Sequence, residues 1–197
     1  MAGAKPTSTL AARIQRKLAT LYRVEAPAVD GFVRESESGR EVLELRERRK
    51  SLDLALYLPR EAMDPDAPVS LDLYCQVAEG VSHFLYLVER ARRRLPTTQL
   101  ELELQAEVDK YLLVLEALTH APAANRNDVR DRLFGRVRFL HAAGSEQGDR
   151  YRMANHLAAR FVGTLSKRHH TSDSPRERVR RFFDAGQREK IEMVMAA

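Results

Sequence analysis

The stretch Ser70–Arg94, SLDLYCQVAEGVSHFLYLVERARRR, decides the fold class because its apolar residues recur at helical spacing. Ser70 and Asp72 are candidate caps at its start, and the Leu95-Pro96 pair ends the pattern. Apolar side chains cover about two-thirds of the helix circumference, which is typical of a helix with neighbours on several sides. We therefore predict a central, largely buried helix.

One narrow polar line runs along this otherwise apolar helix. A step of about 100° per residue puts these residues on one side: Asp72, Gln76, Glu79, His83, Tyr86 and Arg90. In one interpretation the line faces water and is supported by the i,i+4 pairs Glu79–His83 and Tyr86–Arg90. In another it faces further polar groups and forms a buried network, a catalytic or metal site, or a contact surface for another protein.

The next segment predicts a second helix that is antiparallel to the first. Thr98 and Glu101 form a capping box, and the helical pattern continues to about His120. The short link through Pro96 predicts a helical hairpin.

A second polar line follows this helix through Gln105, Asp109, Glu116 and His120. If the chain turns near Pro96, His83 is level with Asp109. A cluster of Glu79, His83 and Asp109 could then orient an imidazole or hold a metal. The spacing is Glu-x-x-x-His, whereas di-iron bundles use Glu-x-x-His. We therefore expect no metal, no cofactor and no assigned catalytic residue.

The residues before the central helix predict one further helix and a small sheet. Leu10, Ile14, Leu18 and Leu21 indicate an amphipathic helix over residues 9–23. Leucines then alternate at 52, 54, 56 and 58, and more weakly at 43 and 45, which is strand spacing. We predict a β-hairpin that turns at the basic triplet 48–50. A hairpin is marginal alone, so it must lie on the helices or pair with another strand.

The remainder of the chain is helical and basic. We expect helices over about 127–142, 149–168 and 175–184, and a short one over 187–195. Residues 121–197 hold 16 Lys and Arg against 9 Asp and Glu, whereas residues 1–120 hold 17 against 19. The net charge is therefore near +7 in the second part and near −2 in the first. This asymmetry favours a polyanionic or acidic partner for the second part.

A candidate basic face collects the cations of these helices. Its members are Arg126, Arg130, Arg152, His156, Arg160, Lys167, Arg176, Arg180 and Arg181. Such a face could follow a phosphate backbone, or it could be a set of solvated arginines partly neutralised by nearby acids. No nucleic-acid-binding signature supports the first alternative. His169 and His170 are expected to be exposed loop residues.

Several chemistries lack their usual signatures. The sequence has no Walker loop, no G-x-G-x-x-G after a strand, no G-x-S-x-G and no H-E-x-x-H.

The single cysteine, Cys75, excludes a disulfide framework and is expected in the core. No secretory signal and no apolar stretch long enough to span a membrane are present, so we expect a cytoplasmic protein without membrane contact. The first residues also resemble a mitochondrial transit peptide in composition.

These observations predict a predominantly helical α+β fold, with a small N-terminal β-hairpin packed on a multi-helix core around a central antiparallel helical hairpin. We expect a flexible tail over 1–8, a core over 9–120 and a basic helical part over 121–197 that continues the same domain.

The leading functional hypothesis is a non-enzymatic interaction or regulatory module that binds a macromolecular partner, most simply a protein or a second copy of itself. It would use the polar line, with Gln76, Glu79, His83, Tyr86, Arg90 and Asp109, and the basic face. The first alternative is a nucleic-acid-binding protein. The second is a metal- or acid/base-dependent enzyme that uses Glu79, His83 and Asp109.

Overall fold

The computed structural model describes residues 8–48, 51–118, 126–165 and 174–196. The predictions for the tail over residues 1–7 and for His120, Lys167, His169 and His170 lie outside these ranges, as does the side chain of Arg126. Within them the fold is predominantly helical α+β with a small sheet, which confirms the predicted class.

Seven α-helices lie in the described part of the chain. They are α1 (Leu10–Tyr22), α2 (Leu71–Arg92), α3 (Gln99–Leu118), α4 (Arg126–Arg130), α5 (Glu146–Leu165), α6 (Pro175–Asp184) and α7 (Gln187–Met195). Several begin at a capping side chain, as predicted for α2 at Ser70. The side chains of Thr9, Ser70 and Ser174 accept hydrogen bonds from backbone amides of the first turn, and Ser174 forms a capping box with Glu177.

The core is built around α2, which packs against α1, α3 and the sheet. The apolar positions of α2 are buried as expected, with Val77, Val81 and Phe84 fully enclosed. α5 packs along α3, and α6 contacts α1, so helices from both parts of the chain share one hydrophobic core. Stacked rings close this core, with centroid distances of 4.0 Å for both Tyr22–Phe183 and Phe161–Phe182.

The sheet has three strands, β1 (Val33–Glu35), β2 (Val42–Arg48) and β3 (Ser51–Leu58), in the order β1-β3-β2. β2 and β3 are antiparallel, and residues 49 and 50 between them lie outside the described ranges. The short strand β1 is parallel to β3 and was not predicted. The alternating leucines bury one face of β3, since Leu56 and Leu58 are at most 1% exposed.

Glycine at position 80 brings the sheet close to α2. A Cβ atom at Gly80 would lie 2.6 Å from Leu56 Cδ1 and 2.8 Å from Glu41 Cγ. Only a residue without a side chain fits this contact without displacing its neighbours. Glu41, directly before β2, therefore reaches over the middle of α2.

The helix predicted over 127–142 is wrong beyond residue 135. α4 continues into a π-helical turn, Asp131–Gly135, and the chain is then irregular up to α5. The apolar residues that suggested a continued helix find little cover there, because Leu140 is 68% and Val137 is 37% exposed. Without a buried face, helical propensity alone does not maintain the helix.

None of the helices in the described ranges is long and apolar enough to cross a membrane.

Candidate functional site

The second half of the polar line of α2 is buried, so the interpretation in which the line faces water is wrong there, whereas Asp72 at its start is exposed. Tyr86 is fully buried, Arg90 is 7% exposed and His83 is 9% exposed. These side chains meet polar groups from other elements in two neighbouring groups. The inner network contains Tyr22, Ser82, Tyr86, Arg90, Glu101, Gln105, Asp109 and Lys190. The acidic cluster contains Glu41, Glu79, His83, Glu103, Glu107, Lys110 and Arg150.

Asp109 is the central acceptor of the inner network. Its carboxylate accepts hydrogen bonds from the Tyr22 hydroxyl, from Ser82 Oγ at 2.6 Å and from Gln105 Nε2 at 3.0 Å. Burial raises the pKa of Asp109 to about 6, although the three donors oppose this shift. Through one carboxylate, α1, α2 and α3 are fixed to one another.

Lys190 from α7 enters the same network. Its fully buried ammonium donates to Gln105 Oε1 at 2.7 Å and to the carbonyl of Phe182, and it lies over the rings of Tyr86 and Phe182. Burial lowers the pKa of Lys190 to about 7.

Tyr86 and Arg90 complete the inner network at Glu101. The Tyr86 hydroxyl donates to Glu101 Oε1 at 2.5 Å, and the Arg90 guanidinium lies 3.2 Å from the same oxygen. Arg90 also donates to the carbonyl of Pro96, in the turn between α2 and α3. These contacts join the end of α2 to the start of α3, which is a structural role.

His83 is at the centre of the acidic cluster. Its Nδ1 lies 3.7 Å from Glu41 Oε1, and its Nε2 lies 3.7 Å from Glu103 Oε2. One ligand atom from each of Glu79, His83 and Glu103 lies within 4.8 Å of the others. Three elements supply these groups, namely the segment before β2, α2 and α3.

Two permanent cations oppose the four carboxylates of the cluster. Lys110 Nζ lies 2.9 Å from Glu79 and 2.8 Å from Glu107. Arg150 of α5 approaches Glu103 at 4.0 Å. The four carboxylates, when ionised, therefore carry more negative charge than Lys110 and Arg150 neutralise, and a protonated His83 or a bound cation would reduce this excess.

The ionisation of the cluster reflects this excess. Burial raises the pKa of Glu103 to about 7. Burial also disfavours the imidazolium of His83, but the neighbouring carboxylates of Glu41, Glu103 and Glu79 outweigh it and raise the pKa to about 9. For Glu79, burial opposes ionisation, yet Lys110 and His83 lower the pKa. The space between the carboxylates thus favours positive charge.

Several buried atoms of the cluster have no hydrogen-bond partner. They are Glu41 Oε1, His83 Nε2 and Arg150 Nε, each shielded from solvent. Separations of 3.7–4.0 Å are too long for hydrogen bonds. Buried polar atoms in native proteins are nearly always paired with protein, water or an ion. The orphaned Oε1 of Glu41 lies next to His83 Nδ1, and the orphaned Nε2 of His83 lies next to Glu103 Oε2.

A cleft of about 210 Å³ connects the acidic cluster to the surface. Glu41, Glu79 and Glu107 line its inner end. The irregular segment 137–141 forms one wall together with Tyr151, which stacks on His141 at a centroid distance of 5.6 Å. Arg40 and Arg138, both exposed, lie at its mouth.

The carboxylate–histidine cluster in the structure has different members from the predicted one. The prediction that Asp109 faces His83 is wrong, because Asp109 bonds to Ser82, the residue before His83. Glu79 and His83 do lie together, whereas Gln76 bonds to Asp72 and to the backbone of Glu41.

Sequence reasoning missed Glu41, Glu103, Glu107, Lys110 and Arg150. Glu103, Glu107 and Lys110 recur at helical spacing on α3, which could have identified this second polar line.

The described members of the predicted basic face are divided among three helices, α4, α5 and α6, and several of them have structural partners. Arg152 donates to the carbonyls of Gly148 at 2.8 Å and His141 at 3.2 Å, and it lies over Phe139. Arg180 of α6 donates to the carbonyl of Leu21 on α1 at 2.6 Å. Exposed members are Arg130, His156, Arg160, Arg176 and Arg181.

Comparison with protein-family models, with curated proteins and with solved structures gives no match to this chain.

Proposed function

We propose that this protein binds a divalent transition-metal ion in the acidic cluster and uses it as a Lewis acid on a small anionic ligand that enters through the adjacent cleft. The observation that carries the proposal is the convergence of Glu79, His83 and Glu103 within 4.8 Å, with His83 Nε2 buried and without a partner.

The ligand set suits a particular class of ion. Carboxylates with one imidazole fit Mn²⁺, Fe²⁺ or Zn²⁺ better than Ca²⁺ or Mg²⁺, which favour oxygen ligands alone. Glu79, His83 and Glu103 would be the ligands, and Glu41 is close enough to be a fourth or to orient His83. A divalent ion would balance the excess of carboxylates over Lys110 and Arg150.

The cleft supports a role beyond structural metal binding. The cleft borders Glu79, one of the three proposed ligands, so a ligand could reach the ion from that side. A catalytic metal site needs such an open position. A bound ion would polarise a carbonyl or phosphoryl oxygen of that ligand. Arg40 and Arg138 at the mouth favour a ligand with a negative charge.

The test is calorimetric titration of tag-free, chelator-treated protein with Mn²⁺ and with Zn²⁺. We expect one ion per chain. Glu103→Gln removes a proposed ligand and should weaken binding by about 10–100-fold or more. Glu107→Gln is the matched control, because it removes the same charge from the same helix but from a residue outside the three converging ligands; its effect should be much smaller. No binding of either ion at millimolar concentration, or equal losses in both variants, would overturn the proposal.

The interaction-module and nucleic-acid hypotheses remain predictions. An exposed edge strand favours the first, since β2 lies at the edge of the sheet and its Val42 and Leu45 are 48% and 47% exposed. Sedimentation would reveal a second copy pairing there. For the second, anisotropy of labelled DNA and RNA at several salt concentrations is the test, because binding to phosphates weakens steeply with salt.

A further inference from the structure

Apart from the acidic cluster and its cleft, the described part of the chain contains a groove of about 670 Å³. α1, α3 and α6 form its walls, and Leu165 at the end of α5 contributes to it. The volume lies in the range of ligand-binding pockets, about 300–1,000 Å³.

The floor of the groove is apolar. Leu18, Leu113 and Val179 are 1–3% exposed and lie at its base. Leu21, Leu112 and Leu115 are half-buried along its sides. Water in contact with these side chains gains few hydrogen bonds, so an apolar chain laid over them would be stabilised by removal of apolar surface from water.

The rim of the groove is positively charged. Arg13, Arg16 and Lys17 lie along one side on α1, and Arg176 lies on α6. Lys17 is paired with Glu116 at 3.1 Å, whereas Arg13, Arg16 and Arg176 have no hydrogen bond or ion pair with any described residue. Arg23 and Arg180 add to this positive surface. Burial lowers the pKa of Arg180, and repulsion from Arg23 and Arg176 lowers it further.

We propose that the groove binds a free long-chain fatty acid. The acyl chain would lie on the leucine floor and the carboxylate would bind the guanidiniums of the rim. A guanidinium binds a carboxylate in a planar, two-point geometry. The apolar floor and the cationic rim together fit an amphiphilic ligand that has one apolar chain and one negatively charged head group. The proposal is independent of the metal site, because the two sets of residues do not overlap.

The test uses chelator-treated full-length protein, titrated calorimetrically with laurate below its micelle concentration. We expect saturable binding of one laurate per chain. Dodecanol, which keeps the chain and lacks the charge, should bind at least tenfold more weakly. Acetate, which keeps the charge and lacks the chain, should not bind.

Charge-reversal variants locate the site. Arg13→Glu, Arg16→Glu and Arg176→Glu combined should weaken laurate binding at least tenfold. Arg160→Glu, an exposed arginine on α5 outside the groove, is the matched control and should leave binding unchanged. All four positions are exposed, so the fold is expected to persist, and circular dichroism checks this.

A fluorescent variant gives a second readout. The chain contains no tryptophan, so Leu115→Trp places a unique fluorophore in the wall of the groove. Its emission should shift to shorter wavelength when laurate binds. The proposal is overturned by the absence of saturable laurate binding, by equal affinity in the triple variant, or by a rim that binds DNA and not laurate.

Discussion

The inner network and the acidic cluster lie on the same two helices, α2 and α3, but they differ in how their polar atoms are satisfied. In the inner network every buried side-chain nitrogen and oxygen has a partner among the described residues, and the donors converge on Asp109, Glu101 and Gln105. In the acidic cluster, Glu41, His83 and Arg150 each retain a buried atom without one.

This difference separates a structural group from a candidate site. A fully satisfied buried network holds helices in one arrangement, and loss of any member leaves others unpaired. A cluster with excess negative charge and orphaned atoms lowers the stability of the ligand-free fold, which is common where residues are arranged for function. The inner network is buried throughout, whereas only His83 and Glu103 of the acidic cluster are buried and its other members are half-buried. The two groups therefore differ both in burial and in the satisfaction of their polar atoms.

The largest effect is expected from Asp109→Ala in the inner network. The substitution leaves the hydroxyls of Tyr22 and Ser82 and the amide of Gln105 without their acceptor. We expect a loss of about 3–5 kcal/mol in the free energy of unfolding, measured by urea denaturation. Glu192→Ala, an exposed residue on α7, is the control and should change it by less than about 0.5 kcal/mol. A loss at Asp109 below about 1 kcal/mol would contradict the structural role of the network.

The second-largest effect is a pH dependence of the free energy of unfolding that comes from Lys190. The pKa of Lys190 is lowered from 10.5 to about 7 in the folded protein, by burial, while Glu101, Asp109 and Asp184 oppose the shift and Arg90 adds to it. Between these two values the unfolded chain binds more protons than the folded one, so the contribution of Lys190 to stability rises with pH.

Lys190→Met removes this contribution. The difference in unfolding free energy between the wild type and the variant should increase from pH 7 to pH 9.5 by on the order of 2 kcal/mol. Urea midpoints at the two pH values measure it. A difference that stays constant would mean that Lys190 keeps its proton when buried.

A third, smaller effect on the free energy of unfolding is expected from replacing a glutamate by glutamine, and its sign should be opposite in the two groups. Glu103→Gln removes a negative charge from the acidic cluster and should stabilise the chelator-treated protein by about 1 kcal/mol at pH 8. Because the pKa of Glu103 is raised to about 7, its favourable contribution is present below about pH 4.5 and is lost as the pH rises through 7. Glu101→Gln, the matching change in the inner network, should destabilise the fold because Arg90 loses its buried counter-ion. Destabilisation by both variants would remove the distinction between the groups.

The smallest effect on stability is expected from Gly80→Ala. Its new methyl group would displace Glu41 Cγ and Leu56 Cδ1, the end of a buried side chain. The intrinsic preference of alanine over glycine in a helix opposes this cost. We expect a net change within about 1 kcal/mol in a thermal melt, together with weaker Mn²⁺ binding because Glu41 is displaced. Gly163→Ala in α5, where the nearest atom lies at 3.4 Å, is the control and should leave Mn²⁺ binding unchanged.

Most of the helical framework could be predicted because helices bury apolar faces at a fixed period. α2, α3 and α6 follow from such patterns, and α2 and α3 also from the caps at Ser70 and Thr98. Two elements could not be predicted. β1 has only three residues and exists because β3 offers it a parallel partner. The end of α4 depends on whether Val137 and Leu140 find cover, which is a tertiary property.

The candidate site could be predicted only in part. The polar line identified Glu79 and His83, and the level estimate put Asp109 beside His83, one residue away from Ser82, its actual partner. It failed for His83, because consecutive residues of a helix point about 100° apart and matched height does not give facing side chains. Glu41 comes from a distant segment before β2, and no local pattern links it to α2.

The reach of the inner network along the chain has a consequence for biosynthesis. In the network, Tyr22 meets Asp109 across 87 positions and Lys190 meets Gln105 across 85. Outside it, Arg180 of α6 meets Leu21 of α1 across 159 positions. On a translating ribosome, α2 and α3 can pair early, but Gln105 lacks its ammonium donor until residue 190 has left the exit tunnel. Until then the nascent chain holds buried polar groups without partners, and contacts of such long sequence separation are slow to form. Chaperone protection during that interval would matter more for this protein than for a helical bundle closed by neighbouring segments.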